Sequence, residues 1–464
     1  MSQREIVDRE DELRQLAEAA GGEPSLVVLI GRRRVGKSFL LERAFSKTRV
    51  VSFQGDEQDE AEHLKLLATE AGRSLLGTDT LRFDTWDAAL DFFAEQARRE
   101  RLTVILDEFQ WLKRAQPALD SILQRHWDQW DRQKLPITLV LSGSALTMME
   151  KMLEQGAPLY GRANARPRLL PFDYRWAADF VNTTDPETLL RRWAVIGGTP
   201  QYQIWAGDNP LEEIIAQQIL TKGAPLYDDP RHLLRESEGI RDPGTYLSIM
   251  RVIAAGAKRH NEIAQRSGAV VAGLKERLDR LEDLGYVERR YPVTPDDKEQ
   301  RPGYHVADPY FRFWFRYIAG NRSRLERGRT EEVLTEILAD LDNTMGWAFE
   351  QCCRRWVGVY ADESKVGAAR EIGSWWSRDG QTEIDVAGVA RSRYVLVGSC
   401  KWRRVGTEHD LDQLQRAQSV LGGKAVGAKQ VIFARDGFTD KLRERAELED
   451  VLLVNAAQLF ASAK

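Results

Sequence analysis

The chain has 464 residues, 42% of them apolar and 30% charged, a globular balance that excludes a mostly disordered, collagen-like or coiled-coil protein. At about 150 residues per domain, that length calls for roughly two to four modules. The formal charge is only −4, so any contact with nucleic acid or an anionic surface must be local. Three cysteines, Cys352, Cys353 and Cys400, are too few for a disulfide framework and are not spaced as a zinc site, which leaves reduced thiols. No stretch approaches the ~18 apolar residues of a membrane span, and residues 1–16 lack the apolar core of a signal peptide. A cytoplasmic protein with no membrane partner is therefore expected.

From residue 25 to 175 short apolar runs alternate with longer amphipathic stretches. Residues 25–30, 49–53, 102–106, 137–142 and 166–170 fit buried strands of a parallel sheet, and the segments between them fit helices. This predicts an α/β domain with helices on both faces. Directly after the first run stands Gly31-Arg32-Arg33-Arg34-Val35-Gly36-Lys37-Ser38, followed by a helix-like run opening at Phe39. Its glycines let backbone N–H groups fold around phosphate oxygens, and the helix N-terminus adds its positive end. In such a loop Lys37 reaches the β and γ phosphates of ATP, and the Ser38 hydroxyl ligates Mg²⁺. Arg32, Arg33 and Arg34 either assist the phosphates or are solvated or in contact with a lid.

The third run ends in Asp107-Glu108. A carboxylate there can hold Mg²⁺ through a water, and the next residue can orient and polarise the attacking water. The fourth ends in Ser142-Gly143-Ser144. Ser142 is the candidate for touching the γ-phosphate or the water, and plain strand termination is the alternative. Arg162 follows the next helix. A guanidinium there could reach the nucleotide of a neighbouring copy in a homo-oligomer, or simply pair with a carboxylate.

Residues 172–240 turn to helical periodicity and read as a helical lid. Residues 241–330 read as three helices and a hairpin, with 260–268 opening a helix-turn-helix, 272–284 its second helix, and 286–291 with 304–306 the strands of a wing. This segment holds 18 Lys and Arg against 12 Asp and Glu, a surplus that suits a phosphate backbone. Its second helix argues otherwise. With Leu274, Leu278, Leu281 and Leu284 on the core side, Glu276, Asp279 and Asp283 face outward and repel DNA. DNA contact then falls mainly to Arg289, Arg290 and the wing, and a packing or protein-contact module is the alternative. Residues 311–316 read as a packing helix. Beyond 331, helices around 347–360 and strands near 383–389, 394–402 and 430–434 form a second α/β unit.

Several segments together resemble the archaeal-type ATPases of the AAA+ group over nearly the whole chain: Val7 to Leu13, the loop 31–38, residues 106–112, Ser142-Gly143-Ser144, 158–162, Gly197-Gly198-Thr199-Pro200 and 308–315. The resemblance implies a P-loop parallel sheet over residues 1–171, a lid at 172–240 and a winged helix at 241–330. It also implies that Asp8, Arg9 and Glu10 sit near the adenine and that the turn ending at Pro200 faces the nucleotide. Residues 331–464 resemble a PD-(D/E)XK nuclease-like domain, whose chemistry uses two acids and a lysine to hold Mg²⁺ and activate water. Glu350, Asp385 and Lys401 match in order and spacing. The departure is Ser399, where the pattern has an acid on the same strand face as the lysine, because a neutral hydroxyl is a weaker ligand for a hard cation. Glu383 shares a face with Asp385 but stands ~6.6 Å further along the strand. The expected function is ATP binding and hydrolysis, DNA-associated and coupled to the winged helix and nuclease-like domains. The alternative is an ATP-gated regulatory or scaffold switch bound to a protein partner, with an inactive nuclease-like domain.

Overall fold

The apolar runs become the centre of a sheet in a computed structural model, which describes residues 8–21, 24–237, 240, 242–295, 302–403 and 405–461. Its strands are β1 (Ser25–Gly31), β2 (Val50–Gln54), β3 (Leu102–Asp107), β4 (Ile137–Gly143) and β5 (Arg168–Leu169). Every residue of β1, β3 and β4 is buried, which is why these strands read as continuous apolar runs rather than alternating ones. All pairings are parallel, in the order β2-β3-β4-β1-β5.

Strand alternation divides β1 between two cores. Leu26, Val28 and Ile30 join Trp86, Phe93, Trp127 and Trp130 on one face, while Val27 and Leu29 join Leu16, Leu40 and Phe45 on the other. Helices therefore cover both faces, as the alternating pattern implies. Since β4 lies between β1 and β3, and Ile30 stands opposite Gly143 while Leu106 stands opposite Leu141, the loop after β1, the Asp107-Glu108 pair and the end of β4 emerge along one edge. Ligands of such sheets gather at the carboxyl ends of the strands.

The fifth run is shorter than its sequence suggests. Only Arg168 and Leu169 pair with β1 as a strand, because Pro167 has no N–H to give a ladder. The carbonyls of Ala165 and Pro167 nevertheless accept from Val28 and Ile30, and the Asn164 side chain accepts from the Leu26 N–H at 2.8 Å. An irregular segment thus covers this sheet edge.

The compact unit holding this sheet ends at Pro171 and includes Asp283–Gly285; the remaining residues from Phe172 onward form a second unit. Apart from Asp283–Gly285, the lid, winged-helix and nuclease-like segments expected from the sequence lie in that second unit. Its first part is helical, with Pro186–Ile196, Pro200–Ala206 and Asp229–Glu236 among its helices. Helices Pro243–Ala254, His260–Ser267 and Leu274–Asp283 follow, and then an antiparallel ribbon of β6 (Val287–Arg290) and β7 (Gly303–Val306). The aromatic segment 311–316 packs inward: Phe311, Phe313, Trp314 and Phe315 are all buried, and the Trp314 indole donates to the Tyr227 carbonyl at 2.7 Å.

The turn at Gly197-Gly198-Thr199 is locked into this packing. The Phe172 N–H donates to the Gly198 carbonyl at 2.8 Å, and the Thr199 hydroxyl donates to Asp308 at 3.3 Å. Asp308, 2% exposed, also accepts from the backbone of Tyr310 and Phe311. A Cβ on Gly198 would stand 1.7 Å from the Phe172 carbonyl oxygen. Gly198→Ala is therefore expected to destabilise this unit by about 3 kcal/mol, the upper range of overpacking, seen as a lower midpoint in denaturant. An unchanged midpoint would contradict this packing.

The C-terminal sheet consists of β8 (Glu371–Trp376), β9 (Glu383–Ala390), β10 (Arg393–Lys401), β12 (Lys429–Ala434) and β14 (Val451–Asn455), in the order β14-β12-β10-β9-β8. The short β11 (Val405–Gly406) and β13 (Gly437–Phe438) pair separately. The first three sheet strands run antiparallel, and β10, β12 and β14 run parallel. The long helix Thr330–Arg355 joins one of its cores through Met345, Phe349, Cys352 and Cys353, together with Tyr174 and Leu190. That shared core is why the helical and C-terminal segments form one unit. The three cysteines are free and buried. Among the described residues, no helix is long and apolar enough to cross a membrane.

Candidate functional site

The loop after β1 turns through two left-handed residues, Arg34 (φ 72°) and Gly36 (φ 94°), before the helix Lys37–Phe45 begins. Gly36 costs little there, whereas a left-handed arginine is uncommon outside constrained sites. Gly31 packs beneath Val35: an added Cβ would stand 2.9 Å from Val35 Cγ2 and 3.0 Å from the Leu169 carbonyl oxygen. Lys37, 5% exposed, donates to the carbonyls of Gly31 at 2.9 Å and Arg32 at 3.3 Å. Burial pushes its ammonium below the ordinary lysine value; Glu108 and Asp107 oppose that shift, and Arg33 adds to it. Arg32, Arg33 and Arg34 are half-buried. Phe39, on the first turn, is 51% exposed.

Across the sheet edge, the Ser38 hydroxyl donates to Asp107 Oδ2 at 2.8 Å. Asp107 Oδ1 accepts from the Glu108 N–H at 2.9 Å. The Glu108 carboxylate lies 4.0 Å from Lys37 Nζ, and its Oε2 accepts from the Ser144 hydroxyl at 2.7 Å and from the Gln110 amide. The sheet thus brings Lys37, Ser38, Asp107 and Glu108 together. Ser142 is wholly buried inside β4 and its hydroxyl has no hydrogen-bond partner. The hydroxyl that reaches Glu108 belongs to Ser144. Ser142, the sequence's candidate for touching the γ-phosphate or the water, is thus enclosed in the strand, and Ser144 and Gln110, which meet Glu108, were not nominated.

Among the other nominated residues, Arg9 and Arg162 have partners of their own. Arg9, 8% exposed, donates to the Leu170 carbonyl at 2.7 Å, tying the segment before the first helix to the segment after β5. Burial lowers its guanidinium below the usual range, opposed by Glu12 and Asp8. Asp8 is left-handed (φ 48°) and Glu10 opens the exposed first turn of helix Glu10–Gly21. Val7 lies outside the described residues. Arg162 is held by Asp128 of helix Leu119–Gln133 through two bonds, Nε to Oδ1 at 2.7 Å and Nη2 to Oδ2 at 2.9 Å. This bidentate geometry is the strong form of such a pair, and it holds the Asp128 carboxyl below its usual range. Pro200 is the first residue of helix Pro200–Ala206, within the turn locked by Asp308.

In the C-terminal sheet, Asp385 Oδ2 accepts from the Cys400 N–H at 2.7 Å and from the Ser399 hydroxyl at 3.3 Å. Arg354 donates to the Asp385 carbonyl at 2.6 Å and stands 3.6 Å from Glu350. Burial, then the neighbouring Asp385, push the Glu350 carboxyl up to about 7, although 29% of its side chain remains exposed. Burial also raises Asp385, while the Cys400 N–H and Lys401 pull it down. Glu383 is paired with Lys258 at 3.7 Å. The two arginines nominated for DNA are engaged internally: Arg289 with Asp279 and with Glu282 at 2.7 Å, and Arg290 with Glu288.

The two sites differ as cation sites. Ser38 and Asp107 present facing hard oxygens, which fit Mg²⁺. At the C-terminal acids, Ser399 is neutral, one Asp385 oxygen is taken by two donors, and Arg354 already supplies positive charge between Asp385 and Glu350. These residues do not fit a divalent cation. No group of three or more His, Cys, Asp or Glu among the described residues is arranged to hold one.

Residues 6–203 match the family described as an ATPase domain predominantly from Archaea, and residues 314–413 match one described as archaeal and bacterial proteins of unknown function. An uncharacterised protein of Methanocaldococcus jannaschii is 26% identical over 417 residues, covering 89% of this chain and 90% of that one. Among solved structures, a Walker-type ATPase of Pyrococcus abyssi is similar at 19% identity and a TM-score of 0.46, over 68% of this chain and 97% of that one. The ORC2 protein of Aeropyrum pernix, solved in ADPNP and ADP complexes, is similar at 16% identity and a TM-score of 0.45, over 73% of this chain and 98% of that one. The loop, the acidic pair and the parallel sheet all lie inside the span 6–203 that matches this ATPase domain family.

Proposed function

We propose that the chain is an ATP-gated switch: it binds ATP with Mg²⁺ at the loop 31–38, hydrolyses it, and acts on a protein partner through its second unit. The observation that carries this reading is the Ser38 to Asp107 contact at 2.8 Å, which joins the phosphate loop to the acidic strand end. Lys37 binds the β and γ phosphates, backbone N–H groups of the loop surround them, and the helix Lys37–Phe45 directs its positive end at them. Ser38 and Asp107 would hold Mg²⁺, which when bound neutralises developing charge on the phosphate oxygens. Glu108 orients the attacking water and accepts its proton. Asp8 and Arg9 flank the adenine side. Mg²⁺-dependent phosphate release from ATP tests the reading, and a chain that neither binds ATP nor releases phosphate would overturn it.

For the second unit, helices Pro243–Ala254, His260–Ser267 and Leu274–Asp283 with the β6-β7 ribbon follow a winged-helix order. The internal pairing of Arg289 and Arg290 favours protein contact over DNA, because a guanidinium held by carboxylates must lose them before it can neutralise a phosphate. The unfitting cation site likewise favours a C-terminal domain of nuclease-like fold without cleavage. With supercoiled plasmid and Mg²⁺, the protein is expected to produce no nicking and at most a weak mobility shift, about 10-fold or more weaker at 200 mM than at 50 mM salt. Robust nicking abolished by Asp385→Ala, or a tight shift abolished by Arg289→Ala, would restore the DNA reading.

A further inference from the structure

Glu108 and Gln110 are two residues apart, a spacing that on one helix does not bring side chains together. They meet because Glu108 stands just before helix Phe109–Ala115 in a left-handed conformation, φ 49°, which redirects the chain between them. The Gln110 amide uses both its ends. Its Nε2 donates to Glu108 Oε2 and to the Ser144 hydroxyl at 3.0 Å, while its Oε1 accepts from the Ser144 N–H at 3.3 Å. The Ser144 hydroxyl in turn donates to the same Glu108 Oε2 at 2.7 Å.

The chemistry fixes this amide orientation. Turned over, the NH₂ would oppose the Ser144 N–H donor and the amide oxygen would oppose a carboxylate, two repulsive contacts in place of two hydrogen bonds. The end of β4 is shaped to admit the amide: a Cβ on Gly143 would stand 2.9 Å from Gln110 Oε1 and 2.7 Å from the Met149 sulfur. Two donors therefore converge on one carboxylate oxygen. Glu108 Oε1 lies 4.0 Å from the Lys37 ammonium, and neither of these two donors is on it.

We propose that Gln110 is a positioning residue for hydrolysis: with Ser144 it clamps the Glu108 carboxylate through Oε2 and so presents Oε1 to the attacking water. The proposal rests on Glu108 being the water-polarising group. A carboxylate free to rotate meets the water in the right geometry only part of the time, and loss of such positioning costs rate rather than affinity.

The test is steady-state ATP hydrolysis and fluorescent-nucleotide binding by the full chain, in Gln110→Ala and Gln110→Glu beside Glu108→Gln. Gln110→Ala is expected to keep ATP affinity within about 3-fold and to lose about 10- to 100-fold in kcat. Gln110→Glu keeps the side-chain length and sets a second carboxyl against Glu108, where two like charges ionise together only at a cost. When protonated, that carboxyl restores a donor to Glu108 and an acceptor to Ser144. Its kcat is therefore expected to rise relative to wild type as pH falls, which a purely structural role would not produce. Wild-type kcat in Gln110→Ala, or a Gln110→Glu pH profile parallel to wild type, while Glu108→Gln remains inactive, overturns the clamp alone. Normal turnover in Glu108→Gln overturns the underlying reading of Glu108.

Discussion

Lys37→Ala is expected to weaken ATP binding by at least about 100-fold, equivalent to about 2.7 kcal/mol, and to remove turnover with it. The ammonium is buried and its hydrogen bonds go to the Gly31 and Arg32 carbonyls, so the loop is built around it before any nucleotide arrives. Burial works against its charge, and a triphosphate supplies the anions that offset that cost. Charge-assisted bonds of this kind are the strong ones, and they act where water is excluded. Alanine removes the cation and takes its donor from the Gly31 and Arg32 carbonyls. Calorimetry or a fluorescent nucleotide analogue gives the affinity directly; an unchanged value would remove the phosphate-loop assignment, whatever the turnover.

Glu108→Gln is expected to separate binding from chemistry. The amide is nearly isosteric with the carboxylate but cannot take a proton from water. Affinity for ATP should stay within a few-fold of wild type while kcat falls by about 100- to 10,000-fold, the usual contribution of a positioned general base. The Ser38 to Asp107 contact and the Lys37 bonds do not involve the substituted group, which is why binding survives. A normal rate of phosphate release, measured with bound ATP confirmed, would move the water-orienting role to another residue.

The parts of the candidate site that could be read from sequence are those where one residue type at one spacing marks a motif. The glycines, Lys37 and Ser38 follow a strand and open a helix, and Asp107-Glu108 ends an apolar run. Both stand where strand boundaries were clear because β1, β3 and β4 are buried throughout. The misses come from contacts that periodicity does not encode. Gln110 meets Glu108 only through the left-handed turn at 108. Ser144 replaces Ser142 because β4 still holds position 142 inside the sheet, opposite Leu29.

Long-range pairs were equally invisible. Asp128 lies on a helix well before Arg162, and Asp308 reaches back to Thr199. In the C-terminal sheet, β8 carries two tryptophans but no clean alternation and a register shift against β9. The short apolar run of β14 cannot be told from a helix segment by pattern alone. The basic surplus of 241–330 was countable, but its engagement was not: Arg289 and Arg290 spend their charge on nearby carboxylates.

The most direct test of the account is a crystal structure with a non-hydrolysable ATP analogue and Mg²⁺. The expected result is a triphosphate wrapped by the backbone amides of residues 31–38, with Lys37 on its β and γ phosphates and the cation between Ser38 and Asp107. A nucleotide bound elsewhere, or a loop that stays closed on the Lys37 side chain at saturating analogue, would contradict it.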